Sequence, residues 1–243
     1  MGEVGLRINK YKDKLRSFKD IPNHNIPKMH EDIQLIKDTN ELLTELFNQI
    51  MKKNQYYGIR WLTGLERYVN DQSKNISHLF RRNLSRGHVV EVELFGHFNK
   101  ELTFLHPAVV LYDNNKGQLL VAPISTGKYG DADPLHINVD SEDGLHHGSG
   151  ICLEAIRGVD KNRVLYQHIK DGKKAKVRPE VLNKIDLTIM EYFMPNMFLK
   201  YTNIESQLAE EKKKNIELLE EIESLQEQLL QISLQTTAAT IEQ

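Results

Sequence analysis

The 243-residue chain has one cysteine, Cys152, so no disulfide can form within a single copy. It has no run of about 18 apolar residues, which argues against a membrane-spanning helix. No apolar h-region follows the opening MGEVGLRINKYKDKLRSF, and Leu6 breaks the Gly2-based myristoylation pattern. These absences predict a soluble cytoplasmic protein with no membrane attachment. The segment GKYGDADP, which begins at Gly127, lacks the GxxxxGK[ST] spacing of a phosphate loop. Strong charge imbalance is absent too, with a formal net charge of -2.

That small total hides an asymmetry. Residues 1–86 carry +6, residues 87–200 carry -2 and residues 201–243 carry -6. A basic front and an acidic tail are compatible with nucleic-acid contact, with self-association, or with solvated faces alone. At 40% hydrophobic and 27% charged residues the composition is that of a globular protein.

Residues 1–27 read as a basic arm with one short helix. From Pro27 to Asn54 the apolar residues Ile33, Ile36, Leu43, Leu46, Phe47 and Ile50 recur at three-to-four spacing, which predicts an amphipathic helix. A second helix is expected after Gly58, through Ile59, Leu62, Leu65 and Val69, and a third through Ile76, Leu79 and Phe80. Their apolar stripes require a partner surface. Arg67, Lys74, Arg81, Arg82 and Arg86, interleaved with Trp61, Tyr68 and Phe80, have the composition of a phosphate-contacting face with stacking residues, or of a helical domain packed on its neighbour.

Three β-like runs follow, Val89–Leu94, Ala108–Tyr112 and Leu119–Ile124, separated by clusters of glycine, asparagine and lysine. Strands so short and so spaced predict a small barrel. Beyond a loop-rich region come strand-like LHINVD, the apolar run Ile151–Ile156, strand-like VLYQHI, and a helix opening at Pro179 and closing before Pro195. From Ile204 a heptad seam runs through Leu208, Glu211, Asn215, Leu218, Ile222, Leu225, Leu229 and Ile232. Apolar seam positions with an asparagine at one a position predict a parallel two-stranded coiled coil, hence a homodimer through residues 204–233. The other reading of the seam is a helix folded back on its own chain.

His146 and His147, with His136, Asp131 and Asp133 nearby, have no ligand spacing of a known zinc site, and no metal is expected. Cys152 sits in an apolar run and reads as a buried small hydrophobe.

The segments RGHVVEVEL from Arg86, HPAVVL from His106, VAPIST from Val121, ICLEAIRGVDKNRV from Ile151 and PEVLNKIDLTIMEYF from Pro179 occur in the order seen in a known family. Over residues 84–193 the chain resembles the MazF/PemK toxins. The resemblance implies an α+β fold with an SH3-like small β-barrel, here flanked by an N-terminal helical region and a C-terminal coiled-coil helix. The expected organisation is 1–83 arm and helices, 84–200 barrel domain, 201–243 coiled coil and frayed tail.

The resemblance also implies a metal-independent, cofactor-free endoribonuclease of a toxin-antitoxin or defence system. It would leave 2′,3′-cyclic phosphate and 5′-hydroxyl ends on single-stranded RNA and be held in check by an antitoxin protein. Glu154, Arg157 and Asp160 sit as the family's acidic residue and Arg-Thr-Ile-Asp signature do. Glu101 holds the place of the loop glutamate, and Ser125, with Thr126 beside it, that of the catalytic hydroxyl. One departure is plain: the family's Gly-Gly-x-Arg-Pro is Thr103-Phe104-Leu105-His106-Pro107 here, so His106 replaces the catalytic arginine.

Cleavage of this kind needs a base for the 2′-OH proton, an acid for the departing 5′-oxygen and donors for the phosphorane. The expected catalytic set is therefore His106 and Glu154 for proton transfer and Ser125 or Thr126 as donor. Arg86, Lys100, Glu101, Lys128 and Arg157 are the expected RNA-binding residues. The alternatives are an inactive barrel that binds RNA or a protein partner, and an assembly module in which the coiled coil matters most.

Overall fold

The computed structural model of the protein describes residues 11–73, 83–96 and 101–241, with side chains of the last helix described as far as Leu229. The chain divides into two compact units, Met1–Leu65 and Glu66–Gln243.

In the first unit residues 11–17 are helical. The main helix, α1 (Ile33–Met51), starts where Asp32 accepts hydrogen bonds from the backbone N–H of Gln34 at 2.9 Å and Leu35 at 3.0 Å. That is the N-cap arrangement that satisfies two otherwise orphaned donors. Helix α2 (Gln55–Gln72), within which the boundary between the two units falls, begins three residues before the glycine that the sequence suggests as its start. Asn54 caps it, accepting from Tyr57 N–H at 2.8 Å, and Gly58 lies inside the helix. Ile33, Leu43 and Phe47 of α1 and Ile59 and Leu62 of α2 are exposed. The predicted third helix, with Lys74, Phe80, Arg81 and Arg82, lies outside the described residues.

The second unit is built on β1 (Val89–Glu93), β2 (Leu105–Asp113), β3 (Gln118–Ser125), β4 (His136–Val139), β5 (Ser149–Cys152), β6 (Arg157–Asp160) and β7 (Val164–Gln167). They form one seven-stranded sheet in the order β4-β5-β3-β2-β1-β7, with β6 also paired to β3. Among the described residues no ladder joins β4 to β7, so the expected barrel is realised as a sheet that does not close. A separate hairpin joins β8 (Ile169–Lys170) to β9 (Lys173–Lys174).

The central strands are apolar on both sides because both of their faces are buried. Val109 and Leu111 of β2 join one cluster, with Ile137, Ile151 and Ile185, while Ala108 and Val110 join the other, with Val92, Val121 and Val164. Helix α3 (Pro179–Phe193) covers the first cluster: Ile185 is fully buried, and Val181, Leu182 and Ile189 pack on it. Full burial of one such side chain contributes about 1.5–3 kcal/mol. Pro179 stands at the first turn of α3, where its missing N–H costs nothing. Met194 breaks the helical path and Pro195 opens α4 (Pro195–Ile241), 47 residues long.

Strand β3 positions the site. Its first half pairs with β2 and β6, but Ile124 and Ser125 leave that ladder and pair with Ile151 and Gly150 of β5. The two ends of β3 therefore serve different neighbours. Among the described residues no helix is long and apolar enough to cross a membrane.

Candidate functional site

The chain leaves β3 at Ser125 through a 3-10 turn, Thr126–Lys128, closed by Tyr129 N–H donating to Thr126 O at 3.3 Å. Ser125 and Lys128 are half-buried and Thr126 is exposed. This turn lies on β5, whose Gly150 pairs with Ser125 on one side and Asn138 on the other. After Cys152 the apolar run does not continue as a strand: Leu153–Ala155 form a 3-10 turn that carries Glu154 outward, and Arg157 opens β6 opposite Val121.

Glu101, Leu102, Glu154, Ala155, Ile156 and Arg157 line an open cleft of about 550 Å³. Three of the residues singled out in the sequence therefore meet in one place. Arg157 is half-buried and, among the described residues, has no acidic partner. A guanidinium at the wall of a cleft offers a fixed fork of donors suited to a phosphate.

The other candidates fall elsewhere. His106 sits in β2 opposite Val92 of β1, half-buried, on the side of the strand that carries Ala108 and Val110. The β2–β3 ladder ends at Ala108↔Pro123, two residues short of the register that would set His106 across from Ser125. His106, Ser125 and Thr126 are not among the described residues lining the cleft. Arg86 pairs with Asp186 of α3. Lys100 lies outside the described residues.

A group that sequence reading did not assign to the site stands beside Glu154. His136, the first residue of β4, has its side chain almost wholly buried and pairs in the ladder with Cys152. Its Nδ1 lies 2.7 Å from Asp131 Oδ1 and 2.8 Å from Oδ2, and its Nε2 lies 3.1 Å from Glu154 Oε1. Lys128 Nζ is 3.7 Å from Asp131 Oδ2 on the far side. Burial alone would lower the imidazole pKa, but hydrogen bonds and charges from Asp131 and Glu154 outweigh it and raise the value. The bond from His136 in turn holds Asp131 below the usual carboxylate range. Asp131 stands five residues before His136 in the loop that leads into β4, so that pair is close in sequence, whereas Glu154, 18 residues on, is brought to the ring by the β4–β5 register.

Ligating atoms of His136, Cys152 and Glu154 lie within 4.8 Å of one another. They do not suit a metal. Both ring nitrogens of His136 already face carboxylates, Nδ1 that of Asp131 and Nε2 that of Glu154, so neither lone pair is turned to a shared point with Cys152. His146 and His147 are exposed and outside this group.

Residues 85–193 match the family model described as PemK-like, MazF-like toxin of type II toxin-antitoxin system. No curated protein matches the chain. Among solved structures, the chain is similar to MazF (Form-I) from Deinococcus radiodurans at 19% identity, covering 46% of this chain and 97% of that one with a TM-score of 0.37. It is similar to MazE-MazF (Form-II) from the same organism at 18% identity, with 45% and 95% covered and a TM-score of 0.35. The Mycobacterium tuberculosis toxin MazF-mt6 is similar at 14% identity, with 44% and 95% covered and a TM-score of 0.34.

Proposed function

With residues 85–193 forming a PemK/MazF-like domain, we propose that the protein is an endoribonuclease whose substrate phosphate binds in the cleft between Glu101, Glu154 and Arg157. The observation that carries this reading is the meeting, in that cleft, of an exposed carboxylate and an arginine with no acidic partner among the described residues.

In the proposed reaction Glu154 takes the proton of a 2′-OH, and the 2′-oxygen attacks the adjacent phosphorus. The 5′-oxygen departs as it is protonated, leaving a 2′,3′-cyclic phosphate and a 5′-hydroxyl. Arg157, in the wall of the cleft, neutralises the phosphorane, while the hydroxyl role that the family resemblance gives to Ser125 or Thr126 requires the bound RNA to extend from the cleft to the Thr126–Lys128 turn. No metal or cofactor is required. Water reaching the open cleft supplies the proton for the departing 5′-oxygen, because His106, where the family has arginine, is not among the described residues lining it.

The family description supports a second element of the proposal, an antitoxin protein as partner. The exposed seam of α4 supports a third, a homodimer. Ile204, Leu208, Leu218, Ile222, Leu225 and Leu229 are all exposed along it.

The test is incubation of the purified full chain with a long single-stranded RNA in a chelator, with end mapping by phosphatase-independent 5′ phosphorylation. Cleavage giving 5′-hydroxyl ends, lost in Glu154→Ala and Arg157→Ala, is expected. Salt-sensitive binding without cleavage would replace this reading with that of an RNA-binding domain.

A further inference from the structure

His136 is held between two carboxylates in a way that constrains its protonation. A neutral imidazole has one N–H and one lone pair, so it can donate to only one of two flanking carboxylates and must point its lone pair at the other. Here Nδ1 is 2.7 Å from Asp131 and Nε2 is 3.1 Å from Glu154. Only the imidazolium donates to both. Its side chain is 2% exposed, whereas those of Asp131 and Glu154 are 35% and 42% exposed. The cation is thus interior and the two acids face solvent, Glu154 in the wall of the cleft.

Other neighbours agree with this arrangement. Cys152, opposite in the β4–β5 ladder, remains a neutral thiol because burial pushes it up to about 12. Lys128 Nζ lies 3.7 Å from Asp131 Oδ2, an oxygen that is also 2.8 Å from His136 Nδ1, and Asp133 turns its carbonyl to His136 N–H at 3.0 Å. No other charged group of the described residues faces the ring. Glu154 is fixed through Oε1, which leaves Oε2 as the oxygen that can meet a ligand in the cleft.

We propose that His136 is a positioning residue: as an imidazolium bridging Asp131 and Glu154, it fixes the rotamer of the Glu154 carboxylate at the cleft and ties that carboxylate to the 126–131 loop. This inference rests on the RNA-cleavage reading for its consequence but on the hydrogen-bond geometry for its content. It explains how an exposed glutamate on a 3-10 turn is held in one orientation, which proton transfer requires.

Two measurements on the full chain test it and fail separately. In the first, the His136 ring signals are titrated by NMR, assigned by their loss in His136→Gln. Coupling to both acids predicts a midpoint above the ordinary histidine value, falling in Glu154→Gln and in Asp131→Asn. A midpoint insensitive to Glu154→Gln overturns the inference whether or not RNA is cut. The second is the pH profile of cleavage of a long single-stranded RNA. His136→Gln is expected to lower kcat by roughly 100-fold with little change in KM, because misplacement of a catalytic group by about 1 Å costs that much. It should also remove the alkaline fall in rate that deprotonation of the imidazolium produces. The double variant His136→Gln/Glu154→Gln should be no slower than Glu154→Gln alone. An active enzyme whose rate and pH profile survive His136→Gln overturns the inference and leaves the proposed function standing; an inactive wild type sinks the proposed function and leaves the NMR result to decide this one.

Discussion

Gly150 lies directly against the backbone of Lys128: a methyl group on it would stand 2.6 Å from the Lys128 carbonyl oxygen and 2.8 Å from its Cβ. The obstacle is main chain, so it cannot rotate away. Gly150→Ala must therefore push the Thr126–Lys128 turn off β5 or open the β5 ladder. A cost of about 1–3 kcal/mol follows, the range for overpacking a close contact. Gly158→Ala is the control, since its nearest obstacle is the Leu119 carbonyl at 4.0 Å. Thermal unfolding should show a clear drop in Tm for the first variant and little change for the second. Comparable Tm values would mean that the turn does not rest on β5.

Phe104 has φ +66, in the left-handed region that favours glycine, yet is only 5% exposed. Its carbonyl accepts from Leu94 N–H at 2.8 Å, which fixes the backbone there. The resemblance to a Gly-Gly-x-Arg-Pro loop places a glycine at this position, so the chain keeps the glycine conformation under a buried aromatic. The magnitudes decide what Phe104→Gly does. Losing a buried phenylalanine costs about 3–5 kcal/mol, while relief of left-handed strain returns about 1–2 kcal/mol. Net destabilisation of about 1–4 kcal/mol is expected. Phe104→Ala should be at least as destabilising, because it loses the same burial and keeps the strain. Urea denaturation of both variants checks the order; alanine clearly more stable than glycine would rule out the strained conformation.

Lys161 Nζ and Asp113 Oδ2 form an ion pair at 2.6 Å with side chains only 10% and 3% exposed. Asp113 also accepts from Leu84 N–H at 3.0 Å and Asn115 N–H at 2.7 Å. Burial alone would raise its pKa, but the bonds from Lys161, Leu84 and Asn115 and the lysine charge overcome this and lower it. A carboxylate whose folded pKa is depressed adds stability above its unfolded value, near 3.9, and loses it as pH falls through the folded one. Lys161→Met leaves the charge buried and unpaired, which costs about 3–5 kcal/mol at pH 7. The double variant Lys161→Met/Asp113→Leu should recover most of that loss and unfold with a weaker dependence on pH below 4. Denaturant melts at pH 7 and pH 3 provide the comparison.

The strands are readable because β1, β2 and β3 bury residues on both faces, so that Val89, Val90 and Val92, Ala108–Leu111 and Leu119–Ile124 concentrate apolar side chains in short runs. Helix α3 was readable from Pro179 at its start and Pro195 beyond its end. Gly58 misled about α2 because it looks like a break, but it sits on an open helix surface where Asn54 supplies the cap. Within the apolar run Ile151–Ile156 only Ile151 and Cys152 belong to β5, and the residues after them turn to present Glu154, a division that hydrophobicity alone does not mark. Glu101, Glu154 and Arg157 came from the family pattern. The His136 bridge did not, since a contact across 18 residues depends on register, which local sequence does not encode.

The seam of α4 carries the last prediction. Leu218, Ile222, Leu225 and Leu229 alternate four and three apart, and each is at least 49% exposed in the single chain. Toward the amino end the seam is polar at Glu211 and Asn215, so pairing strength should lie in the second half. An asparagine at an a position satisfies its amide by meeting its counterpart in a partner helix, which sets register and two-strandedness at a cost in stability. Asn215→Leu is therefore expected to raise the temperature at which dimers dissociate and to admit higher oligomers. Truncation after Lys200 should leave a monomer. Sedimentation velocity of the three proteins separates the outcomes. A full chain that sediments as a monomer at tens of micromolar would exclude pairing through α4.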